Sequence, residues 1–232
     1  METSIATRRK TNHVSERTRT TRAPKKNSIS AFMLYCGIIS SILYILMNVF
    51  IPLEYAGYDV ASKTVSELSA IGAPTRTLWF WSAIVYTLTF AVFGWGVIKT
   101  AGKSRALRLT GILILLYGVI GIFWPPMHQR EVLAAGGGTL TDTLHIVFSM
   151  VTVLMMLLIM GTAATALDKK FMVYTLFTIT VLLFFGMLTS FDAPKLETNQ
   201  PTPWLGINER ICIGAYIVWV IVFTKNLLRK IR

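Results

Sequence analysis

Charge is scarce in this sequence. Only 15% of its 232 residues are Asp, Glu, Lys or Arg, where a soluble domain carries about a quarter. A water-facing globule is therefore a poor fit. Acid is scarcer still, with 11 Asp and Glu against 23 Lys and Arg and a net charge of +12. Cysteine is limited to Cys36 and Cys212 with no CxxC spacing, which excludes a disulfide framework and a thiolate zinc cluster. The three histidines form neither HxxxH nor HExxH. No GxSxG elbow occurs, and no lysine follows Gly136, Gly137 and Gly138 at phosphate-loop spacing.

Apolar residues take the place of charge. They make up 53% of the chain, with a mean hydropathy of +0.58. They gather into six runs, at about 29–51, 78–98, 107–124, 142–167, 171–191 and 208–224. About 20 apolar residues cross a bilayer as a helix. Inside lipid the backbone must satisfy its own hydrogen bonds, so each run is expected to be helical. The runs lack the alternation of barrel strands. The expected fold is all-α, a six-helix transmembrane bundle over 29–232 behind a basic, disordered tail at 1–28.

The basic residues set an expected orientation. The tail before Ile29, the second and fourth connections and the C-terminus hold 18 of the 23 Lys and Arg. The opposite side holds Lys63, Arg76, Arg130, Lys195 and Arg210. The positive-inside rule places both termini in the cytoplasm. In a bacterium or archaeon, the location expected for such a multi-pass protein is the cytoplasmic membrane. Basic blocks set between apolar runs mark topology rather than a phosphate-binding face, so no nucleic-acid partner is expected. The partner is the lipid bilayer, and a homo-oligomer is compatible with the pattern. Trp79, Trp81, Trp124 and Trp204 lie near span ends and read as interface anchors. Gly111, Gly118 and Gly121 read as close-packing positions on the third helix. Cys36 and Cys212 differ in depth by about 15 Å, too far for a disulfide.

Three outer segments carry most of the chemistry-bearing residues. They are DVASKTVSELSAIGAPTR at 59–76, FWPPMHQRE at 123–131 leading into TDTLHIVFS at 141–149, and GINERI at 206–211. The combination of VSELSAIGAP, WPPMH, TDTLH and NERI resembles an uncharacterised prokaryotic membrane family, domain of unknown function nine-nine-eight. The resemblance runs from about Ser30 to the C-terminus. It implies a six-helix membrane fold and assigns no activity to any residue.

Helical spacing adds an independent reading. Asp142, His145, Ser149 and Thr152 share one face of the fourth span. Similar stripes are Ser41, Tyr44 and Asn48, then Ser82, Tyr86 and Thr89, then Glu209, Cys212 and Tyr216. Polar groups facing lipid are costly, so the stripes are expected to converge on an outward-opening polar site. Candidate ligand-binding residues are Glu67, His128, Asp142, His145, Glu209 and Arg210. Each has a structural alternative. Glu67 stands at capping-box spacing from Thr64, Asp142 lies in a first helical turn, and Glu209 follows a candidate N-cap, Asn208. His145 needs a partner inside the membrane, and Asp142 is at the right spacing.

Three functions fit this pattern. One is binding or transport of a small or lipid-like ligand. Another is a membrane-embedded metal hydrolase, with zinc on His128, His145 and Asp142 and with Glu67 or Glu209 as general base. The third is a structural or accessory protein. Ser66 and Ser190 are candidate nucleophiles, but the sequence sets neither beside a histidine.

Overall fold

The computed structural model describes residues 26–231, with side chains from residue 29 onward. The expected tail at 1–28 therefore lies outside the described residues, except for 26–28, which already belong to the first helix. Helix α1 spans Lys26–Phe50 and tightens into a 3-10 turn at Ile51–Glu54. A second 3-10 turn, Val65–Ser69, precedes α2 (Arg76–Thr100) and α3 (Arg105–Ile122). A short α4 (Arg130–Ala134) leads to α5 (Leu140–Ala166) and α6 (Lys169–Asp192). A third 3-10 turn, Ala193–Thr198, precedes α7 (Leu205–Ile231). All helices but α4 are long and apolar enough to cross a membrane, which makes six spans. Among the described residues no sheet forms, and Ile71 and His128 make an isolated bridge.

Local chemistry sets the helix ends. Ser104 accepts from the Leu107 N–H at the start of α3, and Asp168 accepts from the Phe171 N–H at the start of α6. Each satisfies one of the orphan donors of a first turn. Thr139 and Asp142 form a capping box at the start of α5. Pro125 and Pro126 follow the end of α3 and prevent its continuation. Asn208 is not the N-cap of α7, as its N–H already donates to Trp204 O inside a helix that begins three residues earlier.

Close packing between spans is seen at α2 and α3. Helices α2 and α3 meet at glycines, where a Cβ on Gly111 would lie 2.7 Å from the Ile98 nitrogen. Only a missing side chain allows that approach. Behind this contact an aromatic column fills the bundle, with Tyr216, Trp219 and Phe223 stacked along α7 against Phe90, Phe93 and Phe171. The Trp219 indole N–H donates to Thr175 Oγ1 at 2.9 Å, so its polar edge is paired. Cys36 and Cys212 are both buried and free. Large apolar side chains such as Phe32, Trp81, Met150 and Phe177 stand exposed around the bundle, where lipid can solvate them.

The polar stripes turn largely inward, but rings fill the space between them. Tyr44 and Tyr86 sit 5.0 Å apart, and Tyr117 and Tyr216 sit 6.0 Å apart. Trp79 is not a surface anchor, since it is buried against Tyr44. Trp81 and Trp204 remain exposed near their span ends.

The three longer connections, 51–75, 123–139 and 193–204, lie at the end of the bundle away from the termini. They fold together into a cap with a small apolar centre of Ala70, Ala73, Met127, Leu196 and Leu205. Met47, Ile51, Val65, Leu68, Trp79 and Tyr86 join this cap to the spans.

Candidate functional site at the capped face

The Val65–Ser69 turn is the hub of the cap. Its N-cap, Thr64, and its third residue, Glu67, form the capping box that their spacing suggests. The Glu67 carboxylate accepts from the Thr64 N–H at 2.7 Å. It also takes two guanidinium bonds from Arg130, Nε to Oε1 and Nη2 to Oε2, each 2.8 Å. Both side chains are buried, with 4% of Glu67 and 7% of Arg130 exposed. The guanidinium also donates to Thr202 Oγ1 and to Ser62 O. One ion pair thus binds the connections after α1, after α3 and before α7. Bidentate geometry is what a guanidinium offers and an ammonium does not. The bond to Glu67 raises the Arg130 pKa further, against the opposing effect of burial.

Arg210 does similar work from α7. Its Nη1 donates to the carbonyls of Val60, Lys63 and Gly206, and its Nη2 donates to the Tyr58 hydroxyl at 2.7 Å. The Tyr58 hydroxyl in turn donates to Thr64 O at 2.7 Å. Burial raises the Tyr58 pKa well above the ordinary tyrosine value. Glu209 accepts from the Val65 N–H at 2.6 Å and so fixes the start of the same turn. Four of the candidate charged residues therefore hold the fold of the cap: Glu67, Asp142, Glu209 and Arg210.

The two histidines part company. Asp142 does not pair with His145, one turn along its own helix. It accepts instead from the His128 backbone N–H at 2.6 Å, lies 2.9 Å from His128 Nδ1, and accepts from the Thr139 N–H. The cap of α5 turns the carboxylate toward the 123–139 connection and away from the helix axis. His145 is 5% exposed and has both ring nitrogens engaged. Nδ1 is 2.8 Å from Pro125 O, and Nε2 is 2.9 Å from Ser66 Oγ. The Trp124 ring meets the imidazole edge-on at 5.2 Å. Among the described residues, no three of His, Cys, Asp and Glu come together where they could hold one ion. The three residues named for zinc are divided, with His128 beside Asp142 and His145 beside Ser66.

Sequence reasoning missed Arg130 as the partner of Glu67 and Pro125 O as the partner of His145. An arginine in a connection between two spans was the available signal for the first. A backbone carbonyl leaves no signal for the second.

Beside the cap, α1 and α2 leave a lateral groove of about 510 Å³. Leu43, Met47 and Phe50 of α1 and Leu78 of α2 line it, with Glu54 and Thr75 toward the capped end.

Comparison with known proteins places the chain. No curated protein and no solved structure matches it. The profile of the family described as protein of unknown function, DUF998, matches residues 38–225, from the first span to the last and across the whole cap. The chain belongs to that family of membrane proteins.

Proposed function

We propose that the protein binds a lipid-like ligand at its capped face, in the outer half of a prokaryotic cytoplasmic membrane with both termini inside. The groove between α1 and α2 carries this reading. Its walls are apolar and continuous with the exposed side chains of Leu46, Phe50 and Leu78. Its capped end carries the Glu54 carboxylate and the Thr75 hydroxyl. An amphiphile fits that polarity, with one apolar chain along the spans and a polar group at the membrane boundary. The charge bias of the connections supports the orientation, since 18 of 23 basic residues fall on the side of the termini. Most charged residues of the cap are already paired, which disfavours a ligand held mainly by them.

The test is lipid retention. The wild-type protein and Ser82→Phe, which fills the groove from α2, are released from nanodiscs of defined lipid and weighed by native mass spectrometry. A lipid adduct on the wild type that is absent from the variant is expected. Equal retention by both overturns the reading.

A further inference from the structure

We infer that Ser66 and His145 form a nucleophile–base dyad that cleaves a carboxylic ester of a lipid-like amphiphile at the capped face. For its substrate class this inference rests on the proposed lipid binding. The chemistry of the dyad stands on separate geometry.

The tautomer comes first. Pro125 O can only accept, so His145 Nδ1 must carry the proton that joins them. Nε2 then holds a lone pair, and the Ser66 hydroxyl 2.9 Å away must donate to it. A serine donating to an imidazole whose far nitrogen is fixed by an acceptor is the arrangement that activates a hydroxyl. A backbone carbonyl here does the orienting that a carboxylate does in a triad.

The plainer reading is a buried histidine that has merely found two partners. Three observations favour chemistry. A serine in a short turn can satisfy its hydroxyl on nearby backbone, as Ser69 does with Ser66 O. Ser66 instead reaches across 79 positions to a different helix. Next, Ser66 is half-buried while His145 beneath it is 5% exposed. Part of Ser66 is thus open at the cap, while the base is shielded from water. Finally, the turn that carries Ser66 is clamped on both sides. Val65 is held by Glu209, and Glu67 is held by Arg130 and Thr64. Such support holds a reacting group in place.

The setting of His145 fits that substrate class. His145 lies in the second turn of α5, flanked by the exposed Leu144, Ile146 and Val147. A polar cap set directly against exposed apolar side chains matches the polarity of an acyl ester, whose carbonyl adjoins its hydrocarbon chain. Ser66 Oγ attacks the carbonyl carbon, and its proton passes to His145 Nε2. The tetrahedral adduct collapses, the bond to the alcohol oxygen breaks, and that oxygen takes the proton from Nε2. Water then attacks the acyl–Ser66 ester, gives a proton to Nε2, and releases the carboxylic acid as Ser66 Oγ is reprotonated. One water is consumed, and the products are an alcohol and an acid.

The test uses the full chain in nanodiscs and a short-chain alkyl fluorophosphonate, which phosphonylates activated serines. The expected result is one adduct per chain on the peptide containing Ser66, absent from Ser66→Ala. His145→Gln is expected to slow labelling about 100-fold, the scale of a general base, with unfolding followed in parallel. No adduct on Ser66 in the folded wild type overturns the inference, and that result depends on no variant. A His145→Gln variant that folds and labels at the wild-type rate also overturns it. The two readings fail separately. Loss of lipid retention in Ser82→Phe with labelling intact supports both, whereas lipid retention without a Ser66 adduct leaves binding standing and removes the dyad.

Discussion

Arg130→Ala should loosen the whole cap, because one guanidinium joins three connections. The substitution removes both bonds to Glu67 and those to Thr202 and Ser62. It leaves a buried carboxylate with only its Thr64 contacts. Breaking a buried ion pair from one side costs about 3–5 kcal/mol. For a chain of this size 1 kcal/mol shifts the midpoint by about 2–4 °C, so the expected drop in Tm is about 6–20 °C. Thermal unfolding in mild detergent, followed by tryptophan fluorescence, measures it. The double variant Glu67→Leu with Arg130→Met should recover part of the loss, since no uncompensated charge remains. An Arg130→Ala midpoint within about 2 °C of the wild type, with no difference in the double variant, would refute the assignment of this pair as the clamp.

Two further perturbations probe other parts of the fold. Gly111→Leu should destabilise the protein by about 1–3 kcal/mol or more, because its first side-chain carbon already meets the Ile98 backbone; an unchanged unfolding midpoint would contradict the close α2–α3 approach. Tyr58 supplies the pH dependence. Burial raises its pKa in the folded state, so the unfolded chain ionises first as pH rises. Its contribution is fully present below the ordinary tyrosine pKa of 10.0 and is lost above it. Tyr58→Phe should lower stability near neutral pH and flatten the fall that sets in above about pH 10; a slope equal to the wild type's would count against the burial of this hydroxyl.

Much of the fold was legible in the chain. The six spans were, because lipid demands long apolar runs and internally bonded backbone, and both demands are local in sequence. The span ends differ from expectation by a few residues. The largest difference is at α7, which runs to Ile231, seven residues past its expected end, and starts three residues early, so that Asn208 falls inside the helix. The capping box at Thr64 and Glu67 was also legible, because its two partners are three residues apart. The interface role of Trp79 was misread, since its position near a span end says nothing of the side it faces, and it faces Tyr44.

The site was less legible. Spacing alone made Asp142 the natural partner of His145, but it ignores what enters from other segments. His128 and Thr139 claim the carboxylate, and Pro125 and Ser66 claim the imidazole.

By itself, then, the sequence determined the solvent of this protein, its six spans and the expected side of its termini. Burial in lipid and the distribution of Lys and Arg act on residues close together in the chain. Only the tertiary structure decided which charges pair, that Arg130 clamps Glu67, and that Ser66 meets His145. Those contacts join residues 63 and 79 positions apart. They depend on how the connections fold over the bundle, and no local pattern records that.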